Sequence, residues 1–165
     1  MINDSFKRFI QMMVLLALQM LVFNHIHLGG YAPPLVYVAL LLYIPLNAPR
    51  VPNLIWAFVM GLLVDITNTT PGVGAAAMTV AAMCQPALLK MMMPRDATDT
   101  ISPSYASMGV GNHMRYAAIL IAIHHIVYFM LDFFSFHDVG EFFLYALSSY
   151  ALTLVLVLLM ERMRS

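Results

Sequence analysis

Every lysine and arginine in this 165-residue chain lies at or beside alternate ends of its apolar segments, and that pattern limits the folds open to it. Six such segments can be marked, at about 9–26, 33–48, 51–66, 74–92, 114–134 and 139–160. Lys7 and Arg8 precede the first, and Arg50 stands between the second and third. Lys90, Arg95 and Arg115 flank the connection from fourth to fifth, and Arg162 and Arg164 follow the sixth. The other connections, near 27–32, 67–73 and 135–138, carry no Lys or Arg. Six spans therefore put all the cations on one face, which the positive-inside rule makes cytoplasmic, with both termini inside. Five or seven spans would scatter them.

The expectation is an all-α polytopic membrane protein, a single integral membrane domain over residues 1–165. With 62% hydrophobic and 10% charged residues, the chain has too little charge to cover a water-facing surface. A net charge of zero argues against a nucleic-acid partner. Cys84 is the sole cysteine, which excludes an intrachain disulfide and a cysteine-based metal site. Lys7-Arg8 before an apolar run resembles a signal peptide, but no small-x-small cleavage site follows, so it reads as an uncleaved first span. Pro33-Pro34 suits a helix start, and Pro86 is a candidate kink in the fourth helix. The second and third segments barely reach across a core of about 30 Å, so the bilayer thins there or they sit inside the bundle. Residues 93–113 carry no nucleotide loop or nucleophile motif and read as a flexible cytoplasmic loop.

One carboxylate interrupts the apolar pattern. Asp65 ends the third segment, followed by the polar turn Thr67-Asn68-Thr69-Thr70, by Pro71-Gly72, and by the small residues Gly74, Ala75, Ala76 and Ala77. An acid at the bilayer centre costs about 2.5–3.5 kcal/mol, so it needs a partner, water or an interfacial position. Gly61 lies one turn earlier on the same helical face and leaves a gap beside it. Three accounts stay open: a tight outer corner with Asp65 capping nearby N–H groups, a ligand or proton role, or simple snorkelling to the interface. The corner predicts that Asp65→Ala harms assembly more than Asp138→Ala in the last outer loop.

Other polar residues invite sharper ideas. His25 and His27 end the first segment, and His125 and Asp132 lie seven apart on one face of the fifth, near Tyr128. With Asp65 they could form a His/Asp metal or proton site, but no pair has tight ligand spacing, and interfacial histidines also serve as anchors. The 15 methionines fit adaptable packing better than a copper path, because no Cys/His ligand set joins them. Glu141, Tyr145 and Ser148 form a polar stripe expected to face the bundle interior or a partner helix. No catalytic residue, cofactor site or metal site is expected.

Gly61-Leu62-x-x-Asp65, with Asn68, then Pro71-Gly72-x-Gly74-Ala75-Ala76, resembles the signature of the rod shape-determining MreD family. The first segment's end, Phe23-Asn24-His25-Ile26-His27, and the proline-rich entry to the second are similar to Bacteroidetes-type members. The detailed match covers roughly residues 19 to 86, and helices five and six fit by number and topology. Ala75-Ala76-Ala77 departs from the more mixed sequence that many relatives carry there. The resemblance implies a non-enzymatic component of the bacterial inner membrane that works with the MreC scaffold, MreB, the glycosyltransferase RodA and the elongation-specific penicillin-binding transpeptidase. Together these organise lateral peptidoglycan synthesis and rod shape. The family's fold also looks like the six-helix substrate-binding subunits of energy-coupling-factor transporters. A small-molecule-binding transporter subunit is accordingly the alternative function.

Overall fold

A computed structural model describes residues 2–23, 33–93, 102–132 and 139–164, with backbone alone at 2–5, 139, 141 and 164. Its elements are helices joined by turns, with no strand among the described residues. They run α1 (Ile2–Leu21), a single 3-10 turn (Val36–Val38) leading into α2 (Ala39–Leu42), α3 (Arg50–Asn68), α4 (Val73–Met92), α5 (Tyr105–Met108), α6 (Val110–Asp132) and α7 (Val139–Arg164).

Local chemistry sets several of these limits. Proline at position 52 is tolerated in the first turn of α3, where its missing N–H has no helical acceptor anyway. Thr69, at φ 56°, ends α3 in the left-handed conformation, and Gly72, at φ 86°, turns the chain into α4. Glycine carries that φ without the clash a Cβ would bring. Met93 leaves α4 in an extended conformation, as a residue before proline prefers. Pro86 stands inside α4, which continues through it.

Helices α3, α4, α6 and α7 are each long and apolar enough to cross a membrane. They pack in sequence order, each antiparallel to the one before, and α1 lies beside α3. The rings of Phe9 and Trp56 are 6.4 Å apart, and Arg8 hydrogen-bonds Asn53, so α1 and α3 run the same way. Large apolar side chains such as Ile66, Met83, Ile126 and Leu147 face outward. Lys7, Arg8, Arg50, Lys90, Arg115 and Arg162 all sit at helix starts or ends that meet at one end of the bundle.

The second apolar segment departs from expectation. Instead of a helix over 33–48 it has only the 3-10 turn and the four residues of α2, too short to span as a helix. None of Leu35 to Leu42 is more than 5% exposed. The segment runs back along α1, from the level of Gln19 to a small space lined by Arg8, Gln11, Leu40, Tyr43 and Ile44. Enclosure on all sides lets so apolar a stretch do without a full helix, provided its backbone finds partners.

Those partners are side chains of the surrounding helices. The Gln19 amide donates to the Pro34 carbonyl and accepts from Val36 N–H, both at 2.9 Å. Ser149 Oγ donates to the Pro33 carbonyl at 2.8 Å, and Thr153 Oγ1 accepts from Leu35 N–H at 2.9 Å. At the lower end Gln85 Nε2 donates to the Ile44 carbonyl and to Tyr116 Oη, both at 3.0 Å. Each such bond removes the roughly 1–3 kcal/mol cost of an unpaired buried group.

The described end of the 93–113 connection, residues 102–113, is more ordered than expected. Ser104 and Ser107 form a reciprocal capping box around α5, and α6 starts at Val110 rather than near 114. Met108 and His113 are buried, and Tyr105 Oη donates to the Leu158 carbonyl at 3.3 Å, docking this stretch on the end of α7.

Candidate functional site

The turn joining α3 to α4 gathers every residue of the Gly61-to-Ala75 motif. Helix α4 starts without a capping side chain of its own, because its N-cap is Gly72. Asp65 supplies that cap from the neighbouring helix. Its Oδ1 accepts from Gly74 N–H at 2.7 Å and from Thr70 Oγ1 at 3.1 Å, and its Oδ2 accepts from Ala75 N–H at 2.9 Å. The Asp65 carbonyl also accepts from Thr70 N–H at 3.3 Å, closing the turn. The carboxylate is 2% exposed. Its charge is offset by a helix N-terminus carrying about +0.5 of a charge and by two charge-assisted N–H bonds. The described lysines and arginines are at the opposite end of the bundle.

Gly61 makes this geometry possible. A Cβ there would stand 2.4 Å from the Gly74 carbonyl oxygen and 2.6 Å from Ala75 Cα and N. A Cβ on Gly74 would meet Asp65 Oδ1 at 2.7 Å. The gap expected beside the carboxylate is filled by the backbone of α4. Gly61, Asp65, Gly74 and Ala75 are buried, whereas Pro71 and Gly72 form the exposed tip. Tyr128 brings α6 up to the corner, with its hydroxyl beside the Thr70 and Asn68 side chains.

Beneath the corner lie two buried groups that the sequence reading did not select. Tyr37, fully buried on the 3-10 turn, has its ring 5.2 Å from that of His124 in an edge-to-face contact. His124 also stacks on Tyr128 at 6.1 Å. Neither Tyr37 Oη nor either His124 ring nitrogen has a hydrogen-bond partner among the described residues. Tyr37 was hidden in an apolar run, and His124 was passed over for its neighbour.

The secondary candidates do not converge with Asp65 in the described structure. Asn24, His25, His27, His137 and Asp138 lie outside the described residues. His125 faces α7, with Nδ1 donating to the Ile121 carbonyl at 2.9 Å and Nε2 3.2 Å from Thr153 Oγ1. That hydroxyl already accepts from Leu35, so its proton is left for His125. Asp132 is exposed at the end of α6. Among the described residues, no three His, Cys, Asp or Glu side chains come together as a metal site.

The expected stripe on the last helix is shifted. Tyr145 and Ser148 are half-buried, with Ser148 Oγ donating to the Tyr145 carbonyl at 3.1 Å, and the Glu141 side chain lies outside the described residues. Among the described side chains of α7 the buried polar ones are Ser149, Thr153 and Glu161, which continue from Tyr145 at steps of four and eight. Glu161 meets buried His113 at 3.8 Å, at the cation-rich end. A strict four-residue search would have found this line.

No family model, curated protein or solved structure matches the chain.

Proposed function

We propose that the chain is a non-enzymatic membrane scaffold of the MreD kind, acting in the bacterial inner membrane during cell elongation. It crosses the bilayer six times: five times as a helix and once, over residues 33–48, as a segment enclosed by the bundle. The cation-rich end faces the cytoplasm with both termini. Its partners on this reading are MreC and, through it, RodA, the elongation-specific transpeptidase and MreB, with membrane lipid around the bundle and no nucleic acid.

One observation carries the reading. The polar residues of the motif are spent on internal structure: both Asp65 oxygens are occupied by the start of α4, and Gly61 admits the α4 backbone. A buried acid so satisfied is a packing device, and a rigid corner suits a protein whose work is to hold others. The test has two parts. Depletion in the native cell should round or widen it, and the protein should co-purify with MreC from solubilised membranes. Normal shape together with no MreC in the purified material would sink the proposal.

A second reading, a small-molecule-binding transporter subunit, rests on the unpartnered Tyr37 hydroxyl and His124 ring below the corner. A stoichiometric small molecule retained by the purified protein and lost in Tyr37→Phe would favour it over the scaffold.

A further inference from the structure

At the end of the bundle opposite Asp65, the turn after α2 meets the start of α3 and the last turns of α4 around a cavity of about 740 Å³. Arg50 and Lys90 stand on its rim, both exposed, and Asn53 and Gln85 are buried in its floor. Among the described residues no aspartate or glutamate lines it. The described lining therefore carries two positive charges, from two helices, and no negative one.

The backbone adds to that bias. Pro49 caps α3 without a side-chain hydrogen bond, so the first N–H groups of α3, at Arg50 and Val51, are left without a helical acceptor. A helix start of this kind complements the two cations in favouring an anion. Asn53 Oδ1 is already taken by Arg8, which leaves its amide N–H groups as the donors available to an occupant.

One wall is apolar: Leu54, Ala82, Met83 and Pro86. Met83 and Ala87 are exposed on the outer face of α4, so this wall opens sideways where the helices meet hydrocarbon. The volume is within the range of sites for drug-sized ligands and far exceeds what an isolated phosphate fills. Arginine suits bidentate phosphate binding, and lysine adds a point charge.

We propose that this cavity binds the phosphate head of an anionic lipid from the cation-side leaflet, with Arg50 and Lys90 on the phosphate and the Leu54–Met83–Pro86 wall against the start of its tail. The site requires that the helices lie in a bilayer; it does not require the scaffold role. Its failure and the failure of that role are separable, because the test uses the purified full chain without partners.

The experiment is native mass spectrometry of detergent-solubilised protein titrated with phosphatidylglycerol, with phosphatidylcholine, inorganic phosphate and a poly-glutamate peptide as separate arms. Phosphatidylglycerol should bind at one site and more tightly than phosphatidylcholine. Arg50→Gln with Lys90→Gln should weaken it about 20- to 30-fold, from the loss of two cations near a membrane surface. Arg162→Gln, a cation outside the cavity, should leave it unchanged. Ala87→Trp keeps both charges and narrows the mouth, so it should also weaken binding. Equal affinity for the two lipids, or wild-type affinity in the double variant or in Ala87→Trp, would overturn the proposal. So would inorganic phosphate or the acidic peptide binding as tightly as phosphatidylglycerol.

Discussion

Gly61→Ala probes the α3–α4 corner most directly. The added Cβ would lie 2.4 Å from a backbone oxygen and 2.6 Å from two further backbone atoms of α4, none of which can swing aside. Reaching an ordinary contact of about 3.5 Å moves the helices apart by about 1 Å. The Asp65 bonds to Gly74 and Ala75, now 2.7 and 2.9 Å, would then exceed the range of an N–H to oxygen bond. Overpacking costs about 1–3 kcal/mol, and losing the charge-assisted bonds about 1.5–3 kcal/mol more. The expected destabilisation is about 3–5 kcal/mol. Unfolding in mixed micelles of rising SDS fraction, followed by the fluorescence of Trp56, the sole tryptophan, measures it. In an Asp65→Ala background the same substitution should cost only the overpacking part, because the bonds are already gone. A Gly61→Ala protein within about 0.5 kcal/mol of wild type would refute the reasoning. Strict additivity in the cycle would do the same.

Three further outcomes follow from the same contacts. Asp65→Asn should cost about 2–3 kcal/mol, because an amide nitrogen would face an N–H donor, whereas Asp132→Ala at the exposed end of α6 should stay within about 0.5 kcal/mol of wild type; equal effects would contradict the capping role. Gln19→Leu should cost about 2–4 kcal/mol and speed amide exchange at Val36, since it strips two bonds from the enclosed segment. Unchanged protection at Val36 would show that Gln19 is not its partner. Thr69→Gly should raise stability by about 0.5–1 kcal/mol by relieving a β-branched residue at φ 56°; a less stable variant would mean the left-handed turn carries no strain.

The parts of the fold legible in the sequence were those governed by near neighbours. The ends of α3 and α4 lie within two residues of the expected boundaries, because Pro49, Thr69, Gly72 and the proline after Met93 act locally. Asp65 was readable for the same reason, being nine and ten residues from the N–H groups it caps. The second segment was legible only in part: a place inside the bundle was one of two readings. The loss of a full helix was not foreseen, since hydropathy is the same for a stretch facing lipid and one enclosed by protein. What distinguishes them is Gln19 on one side and Ser149 and Thr153 on the other, and the latter pair lies more than 110 residues away. α1 starts at Ile2 rather than near residue 9 because a helix accepts Lys7 and Arg8 at its wet end, where a hydropathy window stops short. The polar partners in the bundle, Gln85 and His124 among them, looked like isolated breaks in apolar helices, with nothing local to say what they face.

The enclosed segment carries a consequence for how the chain is made. Synthesis delivers α1 and residues 33–44 long before α7, yet Leu35 N–H and the Pro33 carbonyl are bonded by Thr153 and Ser149 of that last helix. Until α7 arrives, the early segment has only half of its backbone partners at that level, and lipid supplies none. It must therefore wait at the interface or beside the insertion machinery, and α7 works as the latch that admits it. A helix made more than 110 residues after the segment it holds completes the middle of the bundle.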